Sequence, residues 1–306
     1  MAQEREPWMD IAKGITIILM VLGHTSIPDT GSRFIWSFHM PLFFIASGWM
    51  TNWGKYSFCE FFLKKAKSII LPFVVYSAIV LLILENLMFC EEGKVMQWLS
   101  HGWGAYALWF IPVLFLASVI GRLVYVMHNN YLRYGAMFVL VALGCIFSYL
   151  HLHLPWTLNS VPFASFLVLL GTELKRYQKW INEPIWQMLV CGFVIALGIS
   201  QLWRLDMCYN SILPIATLTI GAVAGTLMMF TLSSYIAKFT KVCSRALQTV
   251  GRETYVVVAF SQIIIMLLNQ YFTLNVAVKY GILIIVLILL VIVKNYTNRI
   301  LKFRLL

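Results

Sequence analysis

The sequence predicts an all-α fold: a polytopic integral membrane helical bundle of about ten transmembrane helices, with both termini cytoplasmic. Three observations predict it. The chain has 306 residues, of which 61% are hydrophobic and 11% charged, against about 45–50% and about 25% in soluble domains. Its apolar stretches follow one another, each roughly long enough to cross a bilayer. With the ends placed in the cytoplasm, only Arg33, Lys94, Arg204 and Lys279 of the 23 Lys and Arg residues fall outside, as the positive-inside rule requires. The net charge of +11 is thereby assigned to anionic membrane lipids and not to nucleic acid. Apolar runs fill the length, so one membrane domain over 1–306 is expected.

The predicted spans lie near 9–27, 34–53, 69–89, 105–127, 132–150, 160–176, 185–203, 210–236, 254–271 and 276–294. The first is expected to be a retained helix. Glu4 and Glu6 precede it, and no small-residue cleavage site follows a short apolar core. It carries Asp10, Lys13 and His24. At about 100° per residue, the step from Lys13 to His24 returns to within about 20° of the same face. The two residues are separated by about 16 Å along the axis, with Asp10 one turn below Lys13.

The second span returns from outside with His39 roughly 8 Å deep, so the two histidines can share a level. Pro41 and Gly48 loosen this helix. A proline removes one helical hydrogen bond, and the freed carbonyl must be satisfied locally, as it is where a helix lines a cavity. One histidine between membrane helices can simply join them by a hydrogen bond. A Lys and a His on one stripe, with a second His on the next helix, point instead to a functional pathway.

A basic cluster of Lys64, Lys65 and Lys67 leads into the third span. The fourth begins with Trp109, in "LWFIPVLFL". His151 and His153 lie between the fifth and sixth spans with metal-like spacing but no nearby Cys or carboxylate, so no metal site is expected there. Glu173 ends the sixth span. It is expected at the interface, paired with Lys175, Arg176 or Lys13. The six cysteines are scattered without a CxxC and read as apolar fillers.

The motifs together resemble the membrane acyltransferase-3 family, and more narrowly its fucose 4-O-acetyltransferase-like branch. The resemblance rests on "DIAKGITIILMVLGH" with Lys13 and His24, "SFHMPLFFIASGW" from Ser37 to Trp49, "KKAKSIILPF" from Lys64, "LWFIPVLFL" from Leu108, and "VGRETYVVVAF" from Val250 to Phe260. It covers nearly the whole chain in order. Two departures stand out. Many members have Arg where Lys13 stands, and members often place a His in the helix after the "VGRETY" motif, where this chain has Ser261 and Gln262. The second departure leaves that helix without an expected role.

The resemblance implies acetyl-CoA as donor and a hydroxyl as acceptor, with catalysis by His24, Lys13, Asp10 and His39. His24 suits a general base, because an unperturbed imidazole titrates near neutrality. Acetyl-CoA is a polyanion, and Lys13, Lys65, Lys67 and Arg122 are the basic residues expected to meet it. His39, the Trp109 indole N–H and Ser47 are candidate donors to the developing oxyanion. Trp109, Ser47 and Glu173 are expected around the substrate. The expected acceptor is an envelope or exopolysaccharide sugar, as a lipid-linked or nascent glycan, and the expected location is the bacterial inner membrane. Acetyl transfer to a small soluble acceptor, and transport along the Lys13/His24 stripe, stay open at this level.

Overall fold

In the computed structural model, residues 6–25, 27–87, 106–178 and 186–300 are described. The outer loop near 90–104 with Lys94, Glu91, Glu92, Trp98, His101 and Trp103 lies outside them, as do Arg5, Lys179, Lys302 and Arg304. Twelve α-helices order the described residues: α1 (Pro7–Gly23), α2 (Asp29–Met50), α3 (Phe58–Lys65), α4 (Leu71–Leu87), α5 (Phe110–Tyr125), α6 (Asn130–Tyr149), α7 (Val161–Leu174), α8 (Trp186–Leu202), α9 (Ile215–Phe239), α10 (Lys241–Arg252), α11 (Thr254–Tyr271) and α12 (Val276–Ile300). Seven of the helical segments are long and apolar enough to cross a bilayer: Phe58–Ile83, Ala107–Tyr125, Asn130–Tyr149, Pro155–Tyr177, Ile215–Phe239, Thr254–Tyr271 and Val276–Asn298. α8 is apolar but shorter.

Two predicted boundaries are corrected. The third span is expected from 69, but the helix begins at Phe58 and runs through a π-helical turn, Ala66–Ile70, into α4. The early start is set by a capping box: Ser57 Oγ accepts from the Glu60 N–H, and Glu60 Oε2 accepts from the Ser57 N–H. The eighth span is expected from 210, but Asp206 and Ser211 pair across a short turn and the helix starts at Ile215. Pro214, at its N-cap, sets that start.

Helix packing uses small residues where backbones meet, as membrane interfaces require. A Cβ on Gly48 of α2 would lie 1.7 Å from the Val168 carbonyl oxygen, and one on Gly171 of α7 would lie 2.0 Å from the Ile45 oxygen. α1 and α10 interlock the same way, with Gly251 against the Asp10 carbonyl and Gly14 against the Leu247 carbonyl. α2 packs against α1, α7, α8 and α9, which places it at the centre of the bundle. Beside it, Trp8, Trp49 and Phe230 meet edge to face, with centroids 5.2 to 5.7 Å apart. α12 packs against α11, and only 6% of its most apolar 18-residue window is buried.

Candidate active site

Two polar clusters sit at opposite ends of α1. At its start, Asp10 is buried and accepts from Lys13 Nζ at 3.1 Å and from Arg252 Nε at 3.2 Å. Two cations share one carboxylate, so the group keeps net positive charge. Arg252 reaches Asp10 because the glycine contact of Gly251 seats the end of α10 directly on α1. The following residue, Glu253, turns the other way and pairs with Lys294 of α12 at 2.6 Å. Tyr255 then donates its hydroxyl to the Ile69 carbonyl at 2.8 Å, within the π-helical turn. The "VGRETY" stretch is thus a junction tying α1, α12 and the α3–α4 helix together.

At the other end, a cavity of about 400 Å³ is lined by His24, Trp36, His39, Met40, Phe43, Trp109, Phe110, Asp206, Cys208, Tyr209 and Gln262, with Ile17 and Met20 of α1 below. Its size lies within the range of small-molecule sites, about 300–1,000 Å³. Ile17 and Met20 continue the face that begins with Lys13, so the stripe expected from the sequence runs from the cationic cluster into the cavity.

His24 is exposed at the rim, and His39 is buried. Each ring uses Nδ1 on its own helix: His24 on the Met20 carbonyl at 2.8 Å, His39 on the Ile35 carbonyl at 3.0 Å. A carbonyl only accepts, so Nδ1 carries the hydrogen and the neutral ring keeps its lone pair on Nε2. The Trp36 ring stands between them, 5.7 Å from His24 and 6.1 Å from His39. Its indole N–H donates to the Gly23 carbonyl at 3.4 Å.

This hydrogen bonding revises one expectation. His39 heads the candidate oxyanion donors in the sequence reading. With Nδ1–H given to Ile35, neutral His39 offers only an acceptor, so the Trp109 N–H becomes the better donor. Ser47 lies two turns further along α2 and is not in the cavity wall. Glu173 is also elsewhere. It pairs with Arg176 at 2.9 Å and Arg133 at 3.9 Å, and accepts from the Tyr134 hydroxyl at 3.4 Å. Of the expected cofactor-binding cations, Lys13 alone sits on the α1 stripe. Arg122 donates to the Tyr56 carbonyl at 3.0 Å, Lys65 Nζ lies 5.8 Å from the Phe61 ring centroid, and Lys67 is exposed on the π-helical turn.

Among the polar residues of the wall that sequence reasoning missed are Gln262 and Asp206. Gln262 lies on α11, the helix left without a role. Asp206 comes from the loop 203–214, which folds back into the bundle. Its backbone exchanges hydrogen bonds with Ser211 at 3.0 and 2.8 Å, and its Oδ1 accepts from the N–H groups of Cys208 and Tyr209 at 3.0 and 3.3 Å. Ser160 Oγ donates to the Met207 carbonyl, and the Ile212 N–H donates to Ser148 Oγ, anchoring the loop to the α6–α7 region. Burial raises the Asp206 carboxyl above its ordinary range. Burial, with the Asp206 charge added, pushes the Cys208 thiol up to about 12 and leaves it a poor nucleophile. The signal available in sequence was an acidic residue, in "WRLDMCYNS", beside long apolar runs.

No curated protein and no solved structure matches the chain. The family model described as an acyltransferase domain matches residues 6–296, nearly the whole length and both polar clusters. The chain belongs to the acyltransferase-3 family of membrane acyltransferases.

Proposed function

We propose that the protein is an integral, multi-pass O-acetyltransferase of the bacterial inner membrane. It moves an acetyl group from cytoplasmic acetyl-CoA to a hydroxyl of an envelope or exopolysaccharide sugar, presented as a lipid-linked or nascent glycan. The observation that carries this reading is the cavity that holds His24, with a lone pair on Nε2, at one end of a stripe whose other end is the cationic Asp10–Lys13–Arg252 cluster.

Each part has a task. The cationic cluster receives the phosphates of acetyl-CoA. The long pantetheine arm follows the Lys13–Ile17–Met20 face, about 16 Å, and delivers the thioester to the cavity. His24 Nε2 takes the proton of the acceptor hydroxyl as its oxygen attacks the carbonyl carbon. The Trp109 N–H supports the oxyanion. The carbon–sulfur bond then breaks, and the thiolate leaves as CoA after taking the proton from His24.

The test is mass spectrometry of envelope glycans from a deletion strain complemented with wild type or His24→Ala, at matched expression. An acetyl mass increment (C₂H₂O) with wild type and none with His24→Ala is expected. Glycans unchanged by wild type would sink the sugar reading. Full acetylation by His24→Ala would remove His24 as the base.

A further inference from the structure

Among the described residues, Asp206 is the one acidic side chain in the wall of the cavity. Its place is fixed by the two bonds to Oδ1 and by the exchange with Ser211. Oδ2 makes no hydrogen bond among the described residues. The Arg204 guanidinium lies over the Trp36 ring, 4.4 Å from its centroid, and its charge offsets part of the effect of burial on Asp206 without a hydrogen bond to Oδ2. Burial disfavours the charged carboxyl, and a group held under such conditions calls for a polar partner. Trp109 and Gln262 line the same cavity. An aromatic plane with acceptor and amide groups around it matches a pyranose, which has an apolar face and a hydroxyl edge.

We infer that Asp206 recognises the acceptor: its Oδ2 accepts from a sugar hydroxyl beside the one acetylated, and its charge admits neutral sugars while excluding those that carry a carboxylate. The inference rests on the reading above for the identity of the acceptor as a sugar. A uronate would bring a second carboxylate beside a partly buried one, where like charges repel more strongly than in bulk water.

Asp206→Asn tests it in the purified full-length protein. The amide oxygen keeps both bonds to Cys208 and Tyr209, so the loop is retained while Oδ2 becomes a donor. Two readouts are needed, each with a neutral methyl hexoside and the matching methyl hexuronide. One is equilibrium binding by quenching of tryptophan fluorescence. The other is transfer of labelled acetyl from acetyl-CoA. Wild type should favour the neutral sugar by about tenfold or more, the scale of one charge-assisted hydrogen bond. Asp206→Asn should bind the neutral sugar about tenfold more weakly and lose most of the preference, with the KM for acetyl-CoA unchanged. Equal handling of the two sugars by wild type, an unchanged preference in Asp206→Asn, or no binding of either sugar overturns the inference. Wild type that binds with preference yet transfers no acetyl overturns the acetyltransferase reading and leaves this one standing. Transfer without discrimination does the reverse.

Discussion

α12 and the α1–α2 pair are both helical and both rich in apolar residues, yet they behave as opposites. Within Val276–Asn298 of α12, the most apolar 18-residue window has a mean hydropathy of 3.0, and only 6% of that window is buried. α1 and α2 carry Asp10, Lys13, His24, Asp29, Arg33 and His39, and they hold many of the fully buried side chains, among them Met9, Ile17, Phe38, Phe44 and Trp49. In water the most apolar helix would be the innermost. In lipid, apolar surface gains nothing by hiding, so association falls to close packing and polar contacts. The helix with the most apolar span is therefore at the edge, and the pair that carries the buried polar groups is at the centre.

The sharpest way to break this contrast is at His24. His24→Ala should lower acetyl transfer by about 10²–10⁴-fold, the usual worth of a general base. Ile288→Ala, an exposed position on α12, should leave the rate unchanged. Equal losses from both would mean that the pair at the centre is only scaffold. Next come the glycines. Gly48→Ala forces a methyl group into the Val168 carbonyl and should cost more than about 3 kcal/mol, read as loss of folded protein in detergent. Gly281→Ala on α12 meets nothing within 4 Å and should stay within about 0.5 kcal/mol of wild type. Two comparable melting shifts would remove the distinction between a packed centre and a lipid-facing edge.

A smaller effect is expected at the junction of residues 252 and 253, where one side chain reaches inward and the next outward. Arg252→Gln removes the second cation from Asp10 and should raise the KM for acetyl-CoA severalfold. Because Arg252 is half exposed, the stability loss should be no more than about 1 kcal/mol. Lys294→Met breaks the outward pair with Glu253 and should leave that KM alone. The smallest effect is in pH. Burial raises the Asp206 carboxyl, so as pH falls it takes up a proton sooner than an ordinary carboxylate, above about pH 4. The ratio of neutral to anionic acceptor use should decline there, while a uronate is still ionised. His24, His39, Cys208 and Tyr209 face the same space and Arg204 lies beside it; Asp206→Asn keeps all of them, so the decline assigned to Asp206 is the part that this variant loses. A ratio constant down to pH 4 would count against recognition by Asp206.

Much of this was legible in one dimension. Helical periodicity is local, so Lys13, Ile17, Met20 and His24 could be placed on one face, and the antiparallel return of α2 brought His39 to the same cavity. Trp109 followed from the level of its helix end. What could not be read depends on distant contacts. Spacing offered Arg176 to Glu173, and the two pair, but nothing in it says that Arg252 finds Asp10, that Arg133 joins Glu173, or that α11 contributes Gln262. Asp206 was hidden for a different reason: it falls between the predicted spans 185–203 and 210–236, and nothing local says that this connection folds back into the bundle. The His39 tautomer is a matter of which ring nitrogen meets the Ile35 carbonyl, and only coordinates carry that.

The contact between α1 and α10 also has a consequence for how the protein is made. Asp10 and Arg252 stand 242 residues apart in the chain. At about 5–20 residues per second, roughly 10 to 50 s pass between synthesis of the first and of the second. During that interval the Asp10 carboxylate has Lys13, three residues away, as an ion-pair partner, but not yet Arg252. The pair three residues apart acts as a temporary escort, and the cationic cluster is completed only once α10 has been made.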